Sequence, residues 1–195
     1  MQISNRVCRN GIALSVSGFA ITAWINSSIS LGFYHPFTLL ALASESASAI
    51  AQTTANELLA EANRLLDEGW QQMKSGQYQT EIASYERAIS AARSIGSQQQ
   101  EAEALMGIGV VYALLGNHQQ SISSQGQARA IYQALGDHPS TAAALQGIAD
   151  SYWAIGDYSQ AESHFRQALN IYQGIGDYQS EQYVLSLLDQ VMAGP

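Results

Sequence analysis

Apolar residues recur at helical spacing along the body of the chain, in blocks that end at a glycine. Leu145, Ile148 and Tyr152 would share one face of a helix, because residues three and four apart are neighbours on its surface. Gly156 follows this block and Gly176 follows the next, as is typical of residues that terminate helices. The pattern predicts a helix, a turn and a second helix.

This helix–turn–helix pattern repeats with a period of forty residues. A leucine of the first helix, the glycine after that helix, an alanine of the second helix and the glycine after it all keep the period. The members are Leu65, Leu105, Leu145 and Leu185; Gly76, Gly116 and Gly156; Ala88, Ala128 and Ala168; and Gly96, Gly136 and Gly176. They predict three helix pairs, at about residues 62–95, 102–135 and 142–175. One further helix at about 180–193 has no partner, which is typical of a capping helix.

Two predicted helix starts carry residues that suit side-chain capping. Asp157 precedes the second helix of the third unit, and Gln160 stands three residues farther on, as in a capping box. Asn117 and Gln120 repeat this spacing one unit earlier. We therefore expect Asp157 and Asn117 to cap their helices.

The second helix of the middle unit departs from its counterpart in the third unit. Ser121 and Gln125 stand where the third unit has Ala161 and Phe165. Gly126 lies in the middle of the same helix, where a glycine costs roughly 1 kcal/mol relative to alanine. This helix is predicted to be the weakest element of the array.

As a set, these repeats resemble the tetratricopeptide-repeat family over roughly residues 55–193. The third unit matches the family pattern at Leu145, Ile148, Ala149, Tyr152, Gly156, Tyr158, Ala161, Phe165 and Ala168. The usual repeat has about 34 residues; units of forty are similar to those of kinesin light chains and of bacterial signalling proteins. The resemblance implies an all-α, right-handed superhelical solenoid of three helix pairs plus a C-terminal capping helix.

The N-terminal segment has the pattern of a targeting sequence. Arg6 and Arg9 precede a stretch, residues 11–44, that contains no charged residue. We interpret residues 1–51 as a signal peptide cleaved after Ala51 or, alternatively, as a membrane anchor near residues 11–34. Either interpretation sends residues 52–195, the repeat domain, out of the cytoplasm, because positive charges ahead of an apolar segment stay inside. The exported domain would be periplasmic, lumenal or secreted. A cytosolic chain with a buried N-terminal helix is the remaining alternative.

Composition and charge narrow the candidate functions. From residue 52 onward the chain has 15 acidic and 6 basic residues, a net charge of −9, which disfavours nucleic-acid binding. Cys8, in the leader, is the only cysteine, so neither an intrachain disulfide nor a cysteine-based zinc site can form. Gly107 and Gly109 have no strand before them, which excludes a dinucleotide-binding loop. We predict no catalytic residue, metal, cofactor or small-molecule substrate.

The family resemblance also implies where a partner would bind. In such proteins the first helices of successive pairs line a concave groove, and the repeat register transfers the groove positions to this chain. The predicted partner-binding residues are Leu66, Trp70, Met73, Met106, Val110, Leu114, Gln146, Asp150, Trp153, Tyr183 and Gln190. Exposed aromatic residues suit a protein or peptide ligand, although Trp70 and Trp153 could instead pack between repeats.

Three functions remain open at this point. The leading one is a non-enzymatic scaffold or adaptor of bacterial type that binds a protein or peptide in its groove outside the cytoplasm. A structural or assembly subunit of an envelope complex is the second. The third is a regulatory module for a separate caspase-like protease, as the resemblance to bacterial forty-residue repeats suggests.

Overall fold

The computed structural model describes residues 15–16, 19–20 and 36–193, with side chains at 44, 45 and 47–193. The chain forms two compact units, Met1–Ala47 and Ser48–Pro195. In the first unit, β1 (Ser15–Val16) pairs antiparallel with β2 (Phe19–Ala20). Most of the predicted apolar leader, 11–34, lies outside the described residues, so its role and the cleavage after Ala51 stay predictions. Of the helices that the structure describes, none combines the length and apolar character that a bilayer span requires.

Seven helices follow one another through the described residues. They are α1 (Pro36–Lys74), α2 (Tyr78–Ser94), α3 (Gln98–Leu114), α4 (His118–Leu135), α5 (His138–Ala154), α6 (Tyr158–Ile175) and α7 (Tyr178–Ala193). From α2 onward each helix packs against the next, and α3 also contacts α5. Connections of two or three residues make sequential helices antiparallel neighbours. The repeat unit is therefore the predicted all-α helical-repeat solenoid.

Glycine ends each of the helices α1 to α6 in the same way. The glycine after the helix has a positive φ, between 69° and 81°, which L side chains rarely adopt. At the end of α4, the N–H of Gly136 and that of Asp137 donate to the carbonyl groups of Gln133 and Tyr132, which would otherwise lack partners. The six such residues are Gly76, Gly96, Gly116, Gly136, Gly156 and Gly176.

Helix starts differ from the predicted ones. The helices expected at about 142 and 180 begin four and two residues earlier, at His138 and Tyr178. Asp137 and Asp177 stabilise these first turns, since each carboxylate accepts the backbone N–H three residues on, at 3.1 Å. The helix expected at about 102 also begins four residues earlier, at Gln98, without a side-chain cap. The first helix of the first pair also extends farther, because α1 begins at residue 36 instead of about 62.

The two predicted caps have different outcomes. Asp157 accepts the backbone N–H of Gln160 at 3.1 Å, which confirms the capping interaction predicted for α6. Asn117 precedes α4 but makes no side-chain capping bond, so that prediction is wrong. Instead, the Asn117 carbonyl accepts from Ser121, the first bond of the regular helical ladder.

The core lies between the helix pairs, where one side chain of each second helix is inserted between two first helices. Tyr85 of α2 lies between Gly69 of α1 and Gly107 of α3, and a methyl group on either glycine would overlap its ring. Gln125 of α4 and Phe165 of α6 hold the equivalent positions, and all three side chains are at most 1% exposed. One apolar cluster extends over α1–α4 and another over α5–α7. Between them, α4 and α5 bury polar side chains.

Candidate partner-binding groove

An open depression of about 410 Å³ lies where α3 and α5 approach each other above α4. Its walls are Met106, Val110, Ala113 and Leu114 from α3 and Ala143, Gln146, Gly147 and Asp150 from α5, with Gln125 from α4 as the floor. We call this site the groove depression. It brings together five of the predicted partner-binding residues: Met106, Val110, Leu114, Gln146 and Asp150.

The forty-residue repeat explains why these residues meet. Met106, Val110 and Leu114 are spaced by four on α3, so they form one stripe along the helix. Gln146 and Asp150 occupy the same register on α5, forty residues after Met106 and Val110. Helices in successive repeats present equivalent faces, and the two stripes therefore border the same depression. One wall is apolar and the other is polar.

A buried hydrogen-bond chain fixes the floor. Gln125 Nε2 donates to Ser121 Oγ at 2.8 Å, and Ser121 Oγ lies 2.9 Å from Ser151 Oγ. Ser151 Oγ in turn donates to the Gly147 carbonyl at 3.0 Å. A hydroxyl has a single proton, so Ser121 must be the donor to Ser151. All the hydrogen bonds of this series are then donated in one direction, from α4 into α5.

This chain decides which way the Gln125 amide faces. With Nε2 committed to Ser121, Oε1 is turned toward Gly147, a residue that also lines the groove depression. Oε1 is buried and has no hydrogen-bond partner. A methyl group at position 147 would overlap it, so Gly147 is the residue that gives the amide room. The floor thus carries an unpaired acceptor.

Asp150 places a carboxylate in the depression. No hydrogen bond or ion pair involves it among the described residues, and no residue that lines the depression is basic. Burial raises the pKa of Asp150 to about 6, since the charged form loses part of its hydration. A half-buried carboxylate without a partner is unfavourable for folding and available for binding.

The other predicted partner-binding residues lie outside the groove depression. Trp70 of α1 and Tyr183 of α7 are 51% and 54% exposed, Gln190 is exposed and Met73 is half-buried. Trp153 is half-buried against the second apolar cluster. Part of its ring therefore packs within the array, which is the alternative role proposed for it from the sequence.

Leu66 does not reach the groove surface. It is only 6% exposed and belongs to the first apolar cluster together with Leu65, Tyr85 and Leu105. Transfer by register placed it beside Met106, but the contacts of α1 with α2 and α3 enclose its side chain. Its role in the structure is that of a core residue.

Sequence reasoning missed the floor of the groove depression and a second depression. The position of Gln125 in the repeat, equivalent to Tyr85 and Phe165, could have indicated a buried polar group at this site. From the sequence it is interpreted only as a weakness in the packing of α4. The second depression, about 340 Å³, lies between α4, α5 and α6 and is lined by Arg129, Gln133, His138, Thr141, Leu145, Gln167, Asn170 and Ile171. Within the described part of the chain, no three His, Cys, Asp or Glu residues lie close enough together to hold a metal ion.

Antiparallel helix pairs stacked in register, with a depression between successive first helices, define an all-α helical-repeat protein. Two sequence profiles of the tetratricopeptide repeat match this chain, over residues 66–128 and 100–174. Together they span more than half of it, and the chain belongs to the tetratricopeptide-repeat family. No curated protein sequence matches it significantly.

Solved structures show the same fold at low sequence identity. The repeat domain of Arabidopsis FLU aligns with a TM-score of 0.57 and 19% identity, over 60% of this chain and 98% of that one. The apo form of RapI aligns with a TM-score of 0.65 and 16% identity, over 78% of this chain and 57% of RapI. Kinesin light chain repeats from Podosopora anserina give a TM-score of 0.50 and 18% identity, over 68% and 74%.

Proposed function

We propose that this protein is a non-catalytic scaffold that binds a segment of a partner protein in the groove depression between α3 and α5. Membership of the tetratricopeptide-repeat family supports the general role, since such repeats typically serve protein–protein interaction. The observation that carries the site is the exposed apolar stripe of α3. Leu114 is 56% exposed and borders a depression whose floor holds one buried acceptor without a partner, Gln125 Oε1.

The shape of the depression favours a peptide over a small molecule. Small-molecule sites enclose most of the ligand surface, whereas this depression is open along the helices. Its volume of about 410 Å³ suits one or two side chains of an extended or helical segment. Trp70 and Tyr183, on the first and last of these helices, offer exposed aromatic surface for the rest of the segment.

The proposal also includes the location of the protein, outside the cytoplasm. The two arginines ahead of an uncharged N-terminal stretch support export, and the partner would then be met outside the cytoplasm. Mass spectrometry of the protein from its native cells tests this. A mature N-terminus at Gln52, or an intact chain in the membrane fraction, would support export, and an intact chain in the cytosol would contradict it.

The last helix favours a second candidate, self-assembly through the end of the array. Tyr178, Leu185 and Met192 are spaced to share one face of α7, and Tyr178 and Met192 are 76% and 56% exposed. A following repeat would cover such a face, and so could a second copy of the chain. Sedimentation of wild type and Met192→Glu tests this. A wild-type oligomer that the substitution dissociates would favour assembly, and a wild-type monomer at all concentrations would exclude it.

One matched pair of leucine variants tests the groove. Leu114→Ser removes an exposed leucine at the end of α3 that lines the depression, and Leu135→Ser removes one at the end of α4 that does not. We expect a crosslinked protein partner to be lost with Leu114→Ser and retained with Leu135→Ser, both variants keeping the wild-type helical circular dichroism. A partner captured equally by both would contradict the groove assignment.

A further inference from the structure

The groove depression contains a single charged residue. Of the nine residues that line it, only Asp150 is ionisable, and no counter-ion for it lies among the described residues. Val110 and Trp70 hold the same register in the preceding repeats, so the carboxylate is particular to this unit. A charge placed in partly dehydrated surroundings is stabilised when an opposite charge reaches it.

The surroundings of Asp150 define the shape of the group that would pair with it. Met106, Val110 and Leu114 form an apolar wall about two helical turns long on the facing helix. Lysine and arginine can pack their aliphatic stems on such a surface while their charged groups stay in contact with water or polar atoms.

We propose that the groove depression recognises a basic side chain, lysine or arginine, of the partner segment. The ammonium or guanidinium group pairs with Asp150, and the stem lies along the apolar stripe of α3. This inference rests on the proposed function, because it names the chemistry of the segment that the groove binds. The repeat domain, with 15 acidic and 6 basic residues from residue 52 onward, also attracts a basic partner at long range.

The same arrangement discriminates against other side chains. An acidic side chain would face Asp150 with no basic group in the depression to offset the repulsion. An apolar side chain would complete the dehydration of the carboxylate without pairing it. The depression therefore selects for a positive charge next to apolar groups, and not merely for hydrophobic surface.

Selection from a phage-displayed random peptide library on the full chain tests this proposal. We expect peptides enriched on wild type to contain lysine or arginine beside apolar residues. A synthetic copy with norleucine in place of the basic residue should bind wild type at least about tenfold more weakly. The same pair of peptides should bind Asp150→Asn with similar affinities. Asp189→Asn, which changes an exposed carboxylate outside the depression, should behave as wild type.

The outcomes separate this inference from the proposed function. Enriched peptides that lack a basic residue, or whose basic residue matters equally in Asp150→Asn, would overturn the basic-side-chain inference. If such peptides were still lost with Leu114→Ser, the groove function would stand without it. A selection that enriches no peptide on wild type would overturn both.

Discussion

Gln125 occupies in α4 the position that Tyr85 holds in α2 and Phe165 holds in α6. All three side chains are fully buried, but the amide replaces ring packing by one hydrogen bond and leaves Oε1 without a partner. An unpaired buried acceptor costs about 1–3 kcal/mol. An apolar residue would avoid that cost, and departures from good core chemistry concentrate at functional sites.

Asp150 carries a similar cost on the wall of the groove depression. Because burial raises its pKa to about 6 from an ordinary value of 3.8, the folded chain binds this proton more tightly than the unfolded chain. Stability therefore falls as pH rises from about 4 through about 6. At pH 8 we expect Asp150→Asn to raise the unfolding midpoint by about 2–4 °C, the shift produced by about 1 kcal/mol in a chain of this size.

Thermal unfolding followed by circular dichroism at several pH values checks this prediction. The gain from Asp150→Asn should shrink as the pH falls through about 6 and be small near pH 4, which is close to the ordinary pKa of 3.8 that the carboxyl has in the unfolded chain. Asp189→Asn supplies the comparison, because its side chain is exposed. A gain that is the same at pH 4 and pH 8 would show that the charge of Asp150 is not the cause.

At the scale of elements, glycines set how closely the first helices approach the inserted side chains. Gly107→Ala would place a methyl group inside the ring of Tyr85, which is held from the other side by Gly69. Overpacking of this kind costs about 1–3 kcal/mol, so we expect a lower urea midpoint. Gly126→Ala is the matched substitution, because open space surrounds that position in α4, and it should stabilise by about 1 kcal/mol.

Equilibrium urea unfolding of the two variants measures both effects. Opposite shifts of the midpoint, with unchanged slopes, are the expected result. If Gly107→Ala were as stable as wild type, Tyr85 would have room to move, and the close packing between α1, α2 and α3 would not be rigid.

Much of the element level could be predicted from the sequence, because the determinants are local and repeated. Glycines with positive φ end α1 to α6 at the predicted columns, as at Gly116 and Gly156. Helix starts were less predictable. Asp157 caps α6, whereas Asn117 leaves α4 without a side-chain cap. From α2 onward, the helices preceded by an aspartate have a side-chain cap, and those preceded by Gln77, Ser97 or Asn117 have none.

The candidate groove could be predicted only in part. Register alone brought Met106, Val110 and Asp150 to one depression, because equivalent positions of successive repeats face the same way. It failed for Leu66, which the neighbouring helices enclose. The repeat register could not predict the role of Gln125, because the direction of a buried amide depends on a hydrogen-bond chain that links two helices.

At the scale of the whole molecule, the repeat array is stabilised by two apolar clusters and by a polar contact between them. α1–α4 and α5–α7 each have a continuous apolar core, while Ser121, Gln125 and Ser151 join α4 to α5. The groove depression lies directly above this polar junction. Ligand binding there would bridge the two clusters, so a bound segment should raise the stability of the whole array.

Methyl NMR of the full chain with a peptide selected on wild type tests the groove assignment most directly. Binding should shift the methyl resonances of Met106, Val110 and Leu114, which line the depression. The resonances of Leu135 and Ile175, exposed at the ends of α4 and α6, should stay in place. Shifts confined to Leu135, Ile175 or the methyl group of Met192 on α7, with Met106, Val110 and Leu114 unchanged, would contradict the assignment and place the binding surface elsewhere.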